Sequence, residues 1–89
     1  MKTFFLTVST PLGNAYEGEA SMLSLRGSEG DLAILPGHIP FSTSVKAGKV
    51  KIVTDEEEEK LFKTDGGLLV AAGARVTLLA GVFEPAPEE

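Results

Sequence analysis

Residues 66–83 read GGLLVAAGARVTLLAGVF, and the interpretation of this stretch decides the fold class. The stretch carries a single charge, on Arg75, and it reaches the lower length limit for a helix that crosses a bilayer. An arginine in the middle of a span costs about 2.5–3.5 kcal/mol on insertion scales. Residues 72–75, Ala-Gly-Ala-Arg, have turn chemistry at the place where a hairpin needs it. We therefore predict two strands joined by a turn, with no direct membrane insertion.

Strand patterns continue on both sides of this hairpin. The apolar residues Phe4, Leu6 and Val8 alternate with other side chains, and Val50 and Ile52 alternate with lysines. Such a period of two is typical of half-buried strands, and no stretch shows a helical period. We predict strands at residues 3–9, 15–19, 21–26, 31–35, 41–46, 49–53, 60–64, 68–71 and 75–80.

These strands predict an all-β fold, a small β-sandwich or flattened barrel of about nine to ten short strands. The predicted domain spans residues 1–83. Residues 84–89, EPAPEE, are predicted to form an acidic, proline-rich tail that is extended or disordered.

Length and composition limit the possible functions. The chain has 89 residues, which suits one small domain with a modest core. Its net charge of −5 argues against binding to nucleic acid and against electrostatic docking on anionic lipid. The absence of cysteine excludes disulfides, thiolate nucleophiles, zinc fingers and iron–sulfur ligation.

Residues 27–41, GSEGDLAILPGHIPF, concentrate glycines, prolines, two acids and the only histidine. A phosphate-binding loop is disfavoured because His38 stands where a Walker lysine would follow Gly37. Gly27 and Gly30 are better explained as turn residues that tolerate positive φ. One histidine without thiols is a poor metal site, and the chain has no G-x-S-x-G motif. We therefore predict no catalytic, metal-binding or nucleotide-binding residue and no cofactor.

Glu29 and Asp31 allow a second interpretation, because paired carboxylates can hydrolyse glycosides. The chain has no tryptophan and one tyrosine, so an aromatic platform for sugars is missing. Two acids on a glycine-rich loop fit a charged contact with a basic partner better.

Residues 55–59, DEEEE, are predicted to be a solvated hairpin tip, since contiguous acids lack the spacing that wraps calcium. The residues alone thus predict an interaction module. A free-standing ligand-binding β-sandwich, for example carbohydrate-binding, and a small hydrolase using Glu29, Asp31 or His38 are the alternatives.

The pattern from Gly27 to Pro40 resembles the epsilon subunit of bacterial-type F-type ATP synthases. Four further blocks carry the same resemblance, and together they cover residues 2–83: TFFLTVS at 3–9, KAGKVKI at 46–52, DGGLL at 65–69 and VTLLA at 76–80. In that family the domain is a ten-stranded β-sandwich.

The resemblance implies a non-catalytic subunit at the foot of the central stalk. Such a subunit binds the gamma subunit, rests on the ring of membrane c subunits and helps to couple ion flow to ATP synthesis. It is peripheral, on the cytoplasmic side of the energy-transducing membrane. The implied c-ring contact is Ser28, Glu29, Gly30 and Asp31, and the implied gamma contact is His38, Ile39, Pro40 and Phe41.

One departure from the family concerns the C-terminus. Typical members continue into a helical hairpin that restrains ATP hydrolysis and in some members binds ATP, whereas this sequence stops at Glu89. Inhibition and nucleotide binding are therefore not expected of these residues. The start at Met1, without a tag, favours a naturally short member over a domain cut at its boundary.

Overall fold

A computed structural model of the chain describes residues 2–37 and 40–86, which form nine β-strands. The strands are β1 (Phe4–Thr10), β2 (Gly13–Gly27), β3 (Gly30–Ile34), β4 (Phe41–Val45), β5 (Gly48–Thr54), β6 (Glu59–Thr64), β7 (Gly67–Ala72), β8 (Arg75–Ala80) and β9 (Phe83–Pro85). Within these two ranges no helix is long and apolar enough to cross a membrane. The all-β prediction is confirmed, including the hairpin formed by β7 and β8.

The strands pair into two layers. The first sheet has the order β4-β7-β8-β1-β2, and the second has the order β3-β2-β5-β6-β9. β1 and β8 are parallel, and the other pairings are antiparallel. β2 belongs to both sheets, through its first half in one and its second half in the other.

The predicted separate strands 15–19 and 21–26 are wrong, because they form the single 15-residue strand β2. A straight strand of this length would span about 50 Å at roughly 3.3 Å per residue, yet the longest extent of the molecule is 29 Å. The strand must therefore bend, and its register shifts between Ala20 and Met22. A bulge of this kind bends a strand. If β2 is counted once in each sheet, the nine strands give ten strand positions, the number that the family resemblance implied.

The core lies between the two layers. Phe4, Leu6 and Val8 point inward from β1, as their alternation predicted, and Val50 and Ile52 do so from β5. The other apolar side chains of the buried cluster are Ala20, Leu23, Leu25, Ile34, Val45, Leu69, Ala71, Val76, Leu78, Ala80 and Phe83.

The C-terminal boundary differs from the predicted one. Glu84 and Pro85 continue β9 and pair with β6, and the Ala86 N–H donates to the Leu61 carbonyl at 3.0 Å. The sandwich therefore extends beyond residue 83, and the predicted tail begins too early. Residues 87–89 lie outside the described ranges.

Gly67 begins β7 at a close approach to β8. A Cβ atom added at this position would lie 1.8 Å from the carbonyl oxygen of Leu79 and 2.9 Å from its carbon. Both atoms belong to backbone, which cannot swing away as a side chain can. The absence of a side chain at Gly67 is thus a condition for the pairing of β7 with β8.

We expect Gly67→Ala to lower the free energy of unfolding by about 3 kcal/mol or more, because β7 must move away from β8. Gly73→Ala is the matched control: its φ is +62° and no heavy atom lies within 4 Å of the added Cβ. It should cost only about 1 kcal/mol, from the left-handed backbone. Urea unfolding of both variants provides the comparison, and equal losses would contradict the close-approach argument.

An aromatic cluster closes one open side of the sandwich. Tyr16, from the first half of β2, packs edge-on against Phe62 of β6 with ring centroids 6.1 Å apart. Phe62 stacks on Phe83 of β9 at 4.7 Å. Burial of the phenol raises the pKa of Tyr16 above 10.0, and the negative charge of Asp55 raises that pKa further.

We expect the only tyrosine of the chain to ionise above pH 10.0 in the folded state and near its ordinary pKa in urea. Because the folded pKa is raised, the neutral phenol contributes stability that is complete below the unfolded pKa. That contribution is lost as the pH rises through the folded pKa. An ultraviolet pH titration measures the midpoint.

Asp55→Asn is the matched variant for this titration. Its midpoint should move down but stay above 10.0, because burial is the larger cause of the shift. A folded-state midpoint at or below 10.0 in the parent chain would refute the assignment.

Candidate functional site

The predicted c-ring contact forms the tight turn between β2 and β3. Gly27 pairs with Gly30, so Ser28 and Glu29 are the two residues of the turn. Gly30 has a φ of +131°, which L-residues rarely adopt, and this confirms its predicted role. The prediction for Gly27 is wrong, since its φ is not positive; an added Cβ there would lie 2.8 Å from Cδ2 of Leu32, a side-chain end that can move, and 3.1 Å from the Gly30 carbonyl oxygen.

The predicted contact residues Ser28, Glu29, Gly30 and Asp31 are all exposed. Asp31 has a neighbour that sequence reasoning missed: its Oδ1 lies 3.9 Å from Nε of Arg26, with the Asp31 side chain 86% exposed. An ion pair at this exposure is worth little and is easily exchanged for another cation. The Glu29 carboxylate forms no ion pair or hydrogen bond within residues 2–37 and 40–86. The turn therefore presents two carboxylates that are available to a partner.

A shallow cleft of about 420 Å³ runs beside this turn, between the free edges of β3 and β4. Phe41, predicted to contact gamma, is half-buried and lines the cleft, as do Leu32 and Thr43. The Ser28 and Thr43 hydroxyls lie 3.5 Å apart. The structure thus brings one residue of the predicted gamma contact next to the predicted c-ring contact.

Of the remaining residues of the predicted gamma contact, the structure describes only Pro40. Pro40 is exposed and immediately precedes β4. His38 and Ile39 lie outside the described residues. At the far end of β4, Val45 pairs with Gly27 beside the acidic turn. Phe41 and Val45 are the first and last residues of this strand, about 13 Å apart at 3.3 Å per residue.

The chemistry of the turn disfavours the hydrolase alternative. The two carboxyl groups of a glycosidase flank a bound sugar, whereas Glu29 and Asp31 are exposed side chains at a turn. No cluster of three metal-ligating side chains occurs in the described part of the chain. The carbohydrate alternative is also disfavoured, because Tyr16, Phe62 and Phe83 pack on one another at the open side instead of forming a flat platform.

Sequence reasoning had a signal for Arg26 that it did not use. A two-residue turn at Ser28-Glu29 places residue 26 directly opposite residue 31, and the structure shows this register. The sequence carries no signal that Thr43 lies beside the turn, because β4 reaches the turn only through the corner where Gly27 pairs with Val45. The cleft that Leu32 shares with Thr43 had no sequence signal either.

We expect Glu29→Gln and Asp31→Asn each to change the free energy of unfolding by less than about 0.5 kcal/mol, since both side chains are exposed. Urea unfolding of the two variants tests this. A loss above 1 kcal/mol for Asp31→Asn alone would make its ion pair with Arg26 structural and would reduce its availability to a partner.

Comparison with known proteins agrees with this geometry. Residues 3–86 match the family model described as "ATP synthase, Delta/Epsilon chain, beta-sandwich domain". The chain is 41% identical to the ATP synthase epsilon chain of Bacillus velezensis over 97% of its own length and 64% of that protein. It is 40% identical to the epsilon chain of Priestia megaterium over 99% of its length and 65% of that protein. The chain therefore spans about two-thirds or slightly less of these curated relatives.

Two solved structures share the fold. One is the OSCP/F1/c-ring structure of the Euglena gracilis mitochondrial ATP synthase, with a TM-score of 0.89, 15% identity, and coverage of 96% of this chain and 54% of the other. The second is the central stalk/c-ring of the Tetrahymena thermophila mitochondrial ATP synthase, with a TM-score of 0.76, 19% identity, and coverage of 96% and 69%. At these identities the likeness concerns the fold alone.

Proposed function

This chain belongs to the β-sandwich domain family of the ATP synthase delta/epsilon chain, and we propose that it is a non-catalytic subunit of the central stalk of an F-type ATP synthase. In this role it links the gamma subunit to the membrane c-ring and helps to couple ion translocation to ATP synthesis. It works on the cytoplasmic side of the membrane as a peripheral component of the complex and uses no cofactor.

The observation that carries this proposal is the exposed acidic turn. Glu29 stands on the two-residue turn and Asp31 lies in β3 directly after it, and the positive φ of Gly30 shapes the backbone between them. Little conformational freedom remains for a partner to remove, so contacts made there are preorganised. Two carboxylates without a strong internal partner are complementary to a basic surface on the proposed ring partner.

The gamma contact is proposed at residues 38–41, of which the described Pro40 and Phe41 lead into β4. Pro40 has a fixed φ, and exposed Leu35 lies a few residues before the segment. Such a segment suits a second partner that is bound at the same time as the ring. Phe41 lines the same cleft as the acidic turn, so the two proposed contacts adjoin, and the two partners would be bound side by side.

We expect the parent chain to bind both the gamma subunit and the detergent-solubilised c-ring from the same source, measured by surface plasmon resonance. Glu29→Lys combined with Asp31→Lys should weaken ring binding by about tenfold or more at low salt, because it replaces attraction by repulsion. Binding of gamma should stay within about twofold of the parent value.

The matched control is Glu56→Lys combined with Glu58→Lys, which changes the net charge equally. These residues lie in the exposed tip that follows Thr54, and Thr54 pairs with Ala20 at the bend, away from the acidic turn. Ring binding by this control should match the parent. If both double variants weaken ring binding equally, the cause is the change in net charge and not the position of the acidic turn. A parent chain that binds neither ring nor gamma would overturn the proposed function.

A further inference from the structure

The acidic turn shares its end of the molecule with four other connections. The strand registers define this end, because Gly27 pairs with Val45, Val45 with Gly67, and Gly67 with Ala80. β1 ends beside β8, with Ser9 opposite Leu79. We call this the turn end. Its connections are Pro11–Leu12, Ser28–Glu29, Lys46–Ala47, Asp65–Gly66 and Gly81–Val82.

Leu12 is the most exposed large apolar residue among the described ones, with its full surface in solvent. The turn that carries Leu12 is nevertheless held by hydrogen bonds. The Leu12 N–H donates to Oγ1 of Thr10 at 3.2 Å, and that hydroxyl donates to the carbonyl of Gly13 at 2.9 Å. Pro11 restricts the backbone further, and Gly13 adopts a φ of +117°. A preorganised turn loses little backbone entropy on binding, so a partner can cover Leu12 at low entropic cost.

Val82 is a second exposed apolar side chain at the turn end, 43% exposed. Its backbone is held from both sides. Its N–H donates to Oδ1 of Asp65 at 2.9 Å, and its carbonyl accepts from Oγ1 of Thr64 at 2.8 Å. Leu12 and Val82 follow neighbouring strands, β1 and β8, and a shallow hollow of about 340 Å³ lined by Pro11 and Leu79 lies between those strands.

Charge alone is a weak basis for a permanent contact. Exposed ion pairs contribute little to binding, and at physiological salt their field decays within about 8 Å. Apolar contacts do not weaken with salt in this way. Long polar side chains also offer apolar surface, because arginine, lysine and glutamine can cover an apolar group with their aliphatic stems.

We propose that the c-ring contact has two parts, the acidic turn and an apolar contact made by Leu12 with Val82. This inference rests on the proposed function and extends it to a second contact. The occupant is the same ring surface, reached because both parts lie at the turn end. Leu12 and Val82 pack against apolar surface of the ring, while Glu29 and Asp31 pair with basic groups on it.

The spacing of the two parts has a mechanical consequence. In the first sheet β1 and β2, which the Pro11–Leu12 turn joins, lie at one edge, and β4 lies at the other. Strand spacings of about 4.8 Å put the two parts roughly 14–19 Å apart. Two ring contacts at this separation resist pivoting of the domain on the ring more than one contact does.

The test measures ring binding by Leu12→Ser and by Leu12→Ser with Val82→Ser, each in the full chain, at low and high salt. The single change should weaken binding about fivefold and the double change more. The loss should persist at high salt, whereas the loss caused by Glu29→Lys with Asp31→Lys should shrink. Circular dichroism and urea unfolding check that the variants fold. We expect them to fold, because the Leu12 side chain is exposed.

Leu35→Ser is the matched control, because Leu35 is also exposed but follows β3 at its other end, beside the predicted gamma contact. It should leave ring binding unchanged. Parent-like ring binding by the Leu12 and Val82 variants overturns this inference while the proposed function stands. Weakened gamma binding with intact ring binding also overturns it, since the apolar contact would then belong to gamma. Failure of the parent chain to bind the ring overturns both.

Discussion

The bend in β2 is the constraint on which the rest of the structure depends. A 15-residue strand is too long for a molecule whose longest extent is 29 Å, so the chain folds the strand over at the register shift after Ala20. Ala20 pairs with Phe4 in the first sheet and with Thr54 in the second. One strand thereby holds the two layers in a fixed relation, and the core fills the space between them.

The same bend positions the candidate site. The second half of β2 runs from the bend to Gly27, which pairs with Val45 of the first sheet. This corner brings the acidic turn to the edge of β4 and creates the cleft that Phe41 lines. Surfaces formed by residues far apart in sequence are therefore held by backbone pairing, which is stiffer than contact between flexible side chains.

Small residues at the crowded positions complete this arrangement. Gly67 permits β7 to approach β8, and Gly27 leaves room for Leu32 beneath the acidic turn. The exposed acids at this turn have little to do with stability, since their side chains lie in solvent. In this hairpin, the residues that stabilise the fold differ from the residues that are available to a partner. The charges at the turn can therefore change without loss of the fold.

The sequence by itself determined the fold class and the edges of most strands, because a period of two in hydrophobicity and the positions of Gly and Pro are local properties. It also placed the acidic turn, whose glycines and acids are contiguous. Only the tertiary structure decided that residues 15–19 and 21–26 are one bent strand, since the bend arises from pairing Ala20 with two distant strands. The ion pair of Arg26 with Asp31, the extension of the sandwich into β9 and the common end shared by Leu12 and Glu29 likewise depend on register between strands. Register is set by long-range hydrogen bonds and core packing, and short stretches of sequence do not specify it.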